Sequence, residues 1–200
     1  VPSFQSMRSQ IFGQAPRESI MSSRISPVDP NLAHGQTQDL LGSIKAKMGM
    51  VPNALKTMAH APALLEGYLS LSGALSKGVL PAPIREQIAL TVSQANRCEY
   101  CLSAHTLSAK RAGLNPEQIL EARKGKSQDP KAQAVLDLVH NILERHGDIS
   151  DDQLVHARQA GVADAEIAEV VGNVALMTLT NYFNQVVKTD VDFPRVLVAM

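Results

Sequence analysis

From Gln36 onward the apolar residues of this chain recur at spacings of three and four, with no sustained alternation of β-branched residues between turn signals. That periodicity commits the chain to an all-α fold, and its prolines, glycines and capping residues divide it into segments. A first helix is predicted over 37–48, ended by Gly49, and the Pro52-Asn53 step leads into a short segment through Ala59. Pro62 opens a helix through Ser76 with a broad apolar face that includes Leu64, Leu65, Tyr68 and Leu69. Pro83 fits the first turn of the next, which keeps Ile84, Ile88, Val92 and Ala95 in register to about Asn96. After a break at Arg97-Cys98, a further helix is predicted from Cys98 to Ala112, with Gly113 as its C′ residue. Asn115-Pro116 and Asp129-Pro130 each pair an N-cap with a proline, opening helices to Arg123 and His146. Ser150-Asp151-Asp152-Gln153 is a capping box for a short helix ending at Gly161. The last helix, 164–187, is apolar nearly all round its middle, as expected of a helix buried centrally or at a subunit contact. Asp192-Phe193-Pro194 then leaves helix by the proline rule.

A chain of 200 residues can bury a sizeable core. The expected organisation is a single compact multi-helix domain over 23–200, preceded by an N-terminal extension over 1–22 that is disordered or serves as an intersubunit arm. Arg8, Arg17 and Arg24 among many serines give the first residues a composition shared with transit peptides, but no signal-peptide h-region is present. Nineteen Lys and Arg balance nineteen Asp and Glu, so no overall field draws in nucleic acid or an anionic membrane. No apolar run approaches the roughly 20 residues that span a bilayer. A soluble, cytoplasmic protein is expected.

The chain's two cysteines, Cys98 and Cys101, lie within eight residues of one of its six histidines, His105. Two thiols three apart can close a disulfide or bind a metal, and an imidazole four residues beyond the second lies alongside it after one helical turn. At a helix N-terminus the thiolate is favoured by unpaired backbone N–H groups and the positive end of the dipole. A thiol next to an imidazole is a nucleophile with its base. Glu86, on the preceding helix and twelve residues before Cys98, is placed to orient His105 and raise its basicity, directly or through water. Zinc is the main rival, since two Cys and a His are legitimate ligands. A fourth ligand is missing from the pattern, however, because there is no second Cys pair and His140 and His146 stand apart on another helix. An inert, buried cysteine pair is the structural alternative. His34, His60, His140, His146 and His156 read as surface residues, and Met48, Met50, Met58 and Met177 as core filler. Asn181, Tyr182 and Asn184 interrupt the apolar last helix. They are expected to bond across a subunit contact or to line the pocket near the thiols, with a structural use favoured.

Arg85-Glu86 together with Cys98-Glu99-Tyr100-Cys101-Leu102-Ser103-Ala104-His105 resembles the core motif of the alkyl hydroperoxidase D proteins, within the carboxymuconolactone decarboxylase family. Asn181-Tyr182-Phe183-Asn184 and Asp192-Phe193-Pro194 resemble that family's peroxidase-related subgroup, and the likeness runs roughly from Ser23 to Arg195. The resemblance implies an all-helical homo-oligomer, a trimer or hexamer, with no cofactor or metal. It implies that Cys101 is the peroxidatic thiol, Cys98 its resolving partner, His105 the base, and Glu86 the group that polarises His105 through water. The implied partners are a hydroperoxide substrate and an external dithiol reductant, a lipoyl-protein or a thioredoxin-like protein. The alternative is a non-redox member of the family, engaged in lactone processing or ligand binding. One position departs from the pattern: the family's best-known member has a further histidine between the cysteines, where this chain has Tyr100.

Overall fold

Prolines and polar caps set the helix boundaries of this chain, and the faces between them decide how the helices pack. The computed structural model describes residues 23–198. The expected extension over 1–22 therefore lies outside the described residues. Among them the secondary structure is helical throughout, without strands, in the order α1 (Gly35–Met48), α2 (Asn53–Met58), α3 (Pro62–Leu75), α4 (Ala82–Ala95), α5 (Glu99–Arg111), α6 (Pro116–Arg123), α7 (Pro130–Arg145), α8 (Asp151–Gln159) and α9 (Asp164–Val187). The capping box predicted at Ser150 forms, and Asn115, predicted as an N-cap before Pro116, closes one as well, each with a glutamine three residues on. Asp129 caps α7 through the Ala132 N–H. No helix among the described residues is long and apolar enough to cross a membrane.

The largest core cluster joins α4, α7, α8 and α9 through side chains such as Ile88, Val92, Val135, Val139, Val170 and Met177. Each such side chain contributes about 1.5–3 kcal/mol on full burial. A second cluster closes α1, α2 and α3 around Leu41, Ile44, Met58 and Leu65. A third seats α5 and α6 on α4 through Leu90, Leu102 and Ile119. Helix α9 takes the central place, one of the two its composition allowed: it packs on α3, α4, α5 and α7. It is not buried all round, since Val171, Leu179, Tyr182 and Val186 form an exposed stripe down one side. The methionines divide. Met58 and Met177 are core, but Met48 and Met50 are 51% and 41% exposed. They follow Leu41 and Ile44, the residues by which α1 packs, at the point where Gly49 ends the helix in the left-handed region.

The junction between α4 and α5 is a Schellman motif. The Arg97 N–H bonds to the Gln94 carbonyl at 3.1 Å and the Cys98 N–H to the Ser93 carbonyl at 2.9 Å, with Arg97 itself at φ 56°. Cys98 then becomes the N-cap of α5, one residue outside the helix that was expected to begin near it. A left-handed residue with a Cβ costs roughly 1–2 kcal/mol, and glycine escapes most of that at some cost in unfolded-state entropy. Arg97 is exposed, so Arg97→Gly is expected to raise the unfolding free energy by about 0.5–1 kcal/mol, read as a higher urea midpoint at unchanged slope. An unchanged or lower midpoint would show that the turn stores no strain.

Candidate active site

The Schellman turn hands the chain from α4 to α5 with Cys98 at the cap, where its Sγ accepts the Cys101 N–H at 3.2 Å. Cys98 and Cys101 are joined in a disulfide, their Cα atoms 5.3 Å apart. Both are buried, at 1% and 3% exposure, in a small cluster with Ala54 and Tyr100 against Val191 and Phe193.

One turn further along α5, His105 Nδ1 lies 2.8 Å from Glu86 Oε2, with both side chains half-buried. The family resemblance implied a link through water. Instead α4 and α5 pack directly on each other, and the carboxylate reaches the ring itself. A carboxylate that accepts from Nδ1–H leaves Nε2 as the basic nitrogen, so the pair sets the tautomer needed to take a proton. Glu86, Cys98, Cys101 and His105 are thus gathered at one helix junction, as the motif spacing led us to expect.

A cavity of about 470 Å³ opens beside them, with Cys101, His105, Tyr68, Tyr100 and Asn184 in its wall. Among the described residues Cys98 and Glu86 do not line it. The two sulfurs are therefore unequal: one borders the cavity and the other stands behind it. Burial holds the Tyr68 phenol above its ordinary pKa against a hydrogen bond to Ser72, and the charge of Glu86 adds to the rise. Tyr68 is accordingly a protonated, neutral wall of the pocket. Among the described residues no cluster of three or more His, Cys, Asp and Glu side chains is arranged to hold a metal ion.

Two residues gain meaning that their sequence positions did not settle. Asn184, on α9, donates from Nδ2 to Cys101 Sγ at 3.4 Å, while its Oδ1 accepts from the Thr189 hydroxyl at 2.7 Å. With Oδ1 engaged by the Thr189 hydroxyl, the Nδ2 end of the amide faces the sulfur. Of the two uses expected for this residue, it takes the one beside the thiols, whereas Asn181 bonds Ser93 and Asn96 inside the same subunit and Tyr182 is exposed. Tyr100 is an anchor. Its hydroxyl accepts the Ala54 N–H at 3.1 Å and donates to Asp192 Oδ1 at 2.9 Å, and its ring meets Phe193 edge-on with centroids 5.6 Å apart. Asp192 also accepts the Asn53 N–H at 2.7 Å, so it caps α2 while it holds Tyr100. Burial, together with the charge of Asp192, pushes the Tyr100 phenol far above its ordinary value, outweighing the bond from Ala54.

The Asn184 amide faces Cys101 Sγ in the disulfide, and an N–H donor kept at that distance would favour the thiolate once the pair is reduced. Asn184→Ala is expected to raise the apparent Cys101 pKa by about one unit, measured from the pH dependence of alkylation in a Cys98→Ser background. An unmoved profile would make Asn184 a packing residue. For Tyr100→Phe, which strands the Ala54 N–H and one Asp192 oxygen, a loss of about 1–3 kcal/mol in denaturant unfolding is expected. Wild-type stability in that variant would remove the anchor role.

Residues 62–141 match the profile of the carboxymuconolactone decarboxylase family, a span that contains Glu86, both cysteines and His105. An uncharacterized protein of Haemophilus influenzae is 47% identical over 49 residues, which are 24% of this chain and 43% of that protein. Among solved structures, a peroxidase-related protein from Ralstonia eutropha JMP134 with the alkylhydroperoxidase AhpD core superposes with TM-score 0.78 at 22% identity, over 85% of this chain and 92% of that one. A peroxidase-related protein from Silicibacter sp. TM1040 superposes at 0.71 and 22% identity, covering 89% and 95%. A cysteine-to-alanine variant of the debrominase Bmp8, in complex with 2,3,4-tribromopyrrole, does so at 0.71 and 18% identity, covering 86% and 93%. The chain thus has an alkyl hydroperoxidase D-like fold with a Cys-x-x-Cys motif at its α4–α5 junction, and its residues 62–141 are similar to the carboxymuconolactone decarboxylase family.

Proposed function

We propose that this protein is a thiol-dependent hydroperoxide reductase, cycling the Cys98–Cys101 pair between dithiol and disulfide. The observation that carries the reading is the asymmetry of the pair. Cys101 borders the cavity, one turn from an imidazole held by a carboxylate, while Cys98 waits behind it at bonding distance. In the reduced enzyme His105 takes the Cys101 thiol proton. The thiolate attacks the terminal oxygen of the hydroperoxide and the O–O bond breaks. The departing alkoxide takes up a proton and leaves as the alcohol, and Cys101 becomes a sulfenic acid. The Cys98 thiol then condenses with it, forming the disulfide and releasing water. An external dithiol returns both thiols by exchange and is itself oxidised to a disulfide. A lipoyl-protein or a thioredoxin-like protein would be such a donor.

The same fold is used by a debrominase, so the choice of electrophile rests on this chain's own cavity rather than on the fold. Homo-oligomerisation, as a trimer or hexamer, is part of the proposal. It is supported by the exposed stripe of Val171, Leu179, Tyr182 and Val186 on α9, which an apolar partner face would cover.

Reduced protein treated with one equivalent of cumene hydroperoxide is expected to lose both thiols together. Cys101→Ser should lower the rate of peroxide consumption by at least a thousandfold, and Cys98→Ser should leave a sulfenic acid that dimedone traps. Thiols that resist peroxide in the wild-type protein would turn the reading toward a non-redox member of the family, one that processes a lactone or binds a ligand.

A further inference from the structure

Among the described residues the cavity beside Cys101 is lined by two Lys or Arg side chains, Lys47 and Arg111, and by no carboxylate. Both lie in the last turn of a helix, Lys47 on α1 and Arg111 on α5, and neither forms an ion pair among the described residues. In a chain whose formal charge sums to zero, this leaves one concave surface with an excess of positive charge. Low-dielectric walls concentrate such a field within the cleft.

The distribution of charge is directional. Helix α5 runs along the cavity, with Cys101, His105, Ser108 and Arg111 in its wall. Cys101 and Arg111 are ten residues apart, about 15 Å of helical rise, and helical side chains lean toward the N-terminus, which turns Arg111 back toward the sulfur end. Leu55, Met58, Leu107 and Phe193 give the wall its apolar surface. At the sulfur end two carboxylates stand behind the wall, Glu86 bonded to His105 and Asp192 bonded to Tyr100. An anionic group would be repelled from that end and drawn to the guanidinium and the ammonium.

We infer that the cavity selects organic hydroperoxides whose apolar chain bears a carboxylate. The neutral peroxide end lies at Cys101, and the carboxylate is held by Arg111 and Lys47. Fatty-acid hydroperoxides have this chemistry. The inference rests on the peroxidase reading for its reactive end, and the reaction at sulfur is unchanged, giving the hydroxy acid as product. Arg111 and Lys47 are then specificity-determining residues, with no part in the chemistry at sulfur.

The test compares linoleic acid hydroperoxide with its methyl ester, which keeps the chain and the peroxide and lacks the negative charge. Pre-reduced full-length protein is mixed with each, and the second-order rate of thiol loss is measured without any external reductant. The acid is expected to react roughly fivefold faster than the ester, since pairs with exposed cations are individually modest. In Lys47→Gln/Arg111→Gln the acid-to-ester ratio should fall toward one, and added salt should compress it in the wild type. Equal rates in the wild type, or an unaltered ratio in the double variant, overturn the inference while leaving the peroxidase reading intact. If no hydroperoxide consumes the thiols, cumene hydroperoxide included, the peroxidase reading falls. Equilibrium dialysis then decides the anion site alone: tighter binding of decanoate than of decanamide, lost in the double variant, sustains it, and equal binding ends it.

Discussion

The turn at residues 96–98 stops α4 and starts α5 within three residues, and the geometry of the site descends from where it leaves the chain. A straight continuation of α4 would carry Cys98 and Cys101 past the cavity and take His105 away from Glu86. The left-handed Arg97 instead folds α5 back along α4, so that residues nineteen apart in sequence meet at 2.8 Å. The same turn makes Cys98 an N-cap, with a sulfur doing the work that a serine or aspartate oxygen usually does. A residue at that position has extended dihedrals, φ −88° and ψ 95°. Its side chain therefore turns over the first turn of α5, toward Cys101.

The C-terminal segment holds that junction from outside. It runs back along α5, where Asp192 and Phe193 engage Tyr100, Arg195 pairs with Glu99, and the Val196 N–H bonds the Ser103 hydroxyl at 2.9 Å. Further on, Arg123 reaches the Leu197 carbonyl at 2.8 Å. A helix only thirteen residues long gains little stability of its own, and most of what fixes α5 comes from packing and from these bonds. Tyr100 is central because one hydroxyl satisfies a backbone donor of α2 and a carboxylate of the tail at once. Between the two cysteines this chain thus carries a neutral phenol that ties α5 to α2 and to the tail.

What was legible in the sequence follows the range of the interactions involved. Helix limits set by local chemistry, such as Asn115-Pro116, Asp129-Pro130 and the Ser150 capping box, read directly from neighbouring residues. The four-residue motif was legible for the same reason: its cysteines and histidine lie within two turns, and Glu86 on the adjoining helix had a family spacing to anchor it. Tyr100 was opaque because its partners, Asp192 and Ala54, are ninety-two and forty-six residues away. Asn184 was half-legible. An amide in an apolar helix must find a partner, but that the partner is a sulfur eighty-three residues upstream depends on how α9 crosses α5. Arg97 gave no signal at all, since a left-handed arginine is chosen by the junction and not by its own preference.

Asn184 also bears on why the two thiols differ. Both share the N-terminal end of α5, so the helix dipole favours ionisation of each and does not choose between them. Selection needs a group that touches one sulfur. The Cys98 sulfur receives the backbone N–H of Cys101, a bond made by the capping geometry itself. The Cys101 sulfur receives the Asn184 amide, whose Oδ1 accepts from the Thr189 hydroxyl just beyond the end of α9, and it also borders the cavity. Access and a fixed side-chain donor thus converge on one atom, while its neighbour is kept close and covered. Under the proposed chemistry that is the division of labour a resolving pair requires, because a sulfenic acid formed at Cys101 has its partner already three residues back and shielded from competing electrophiles.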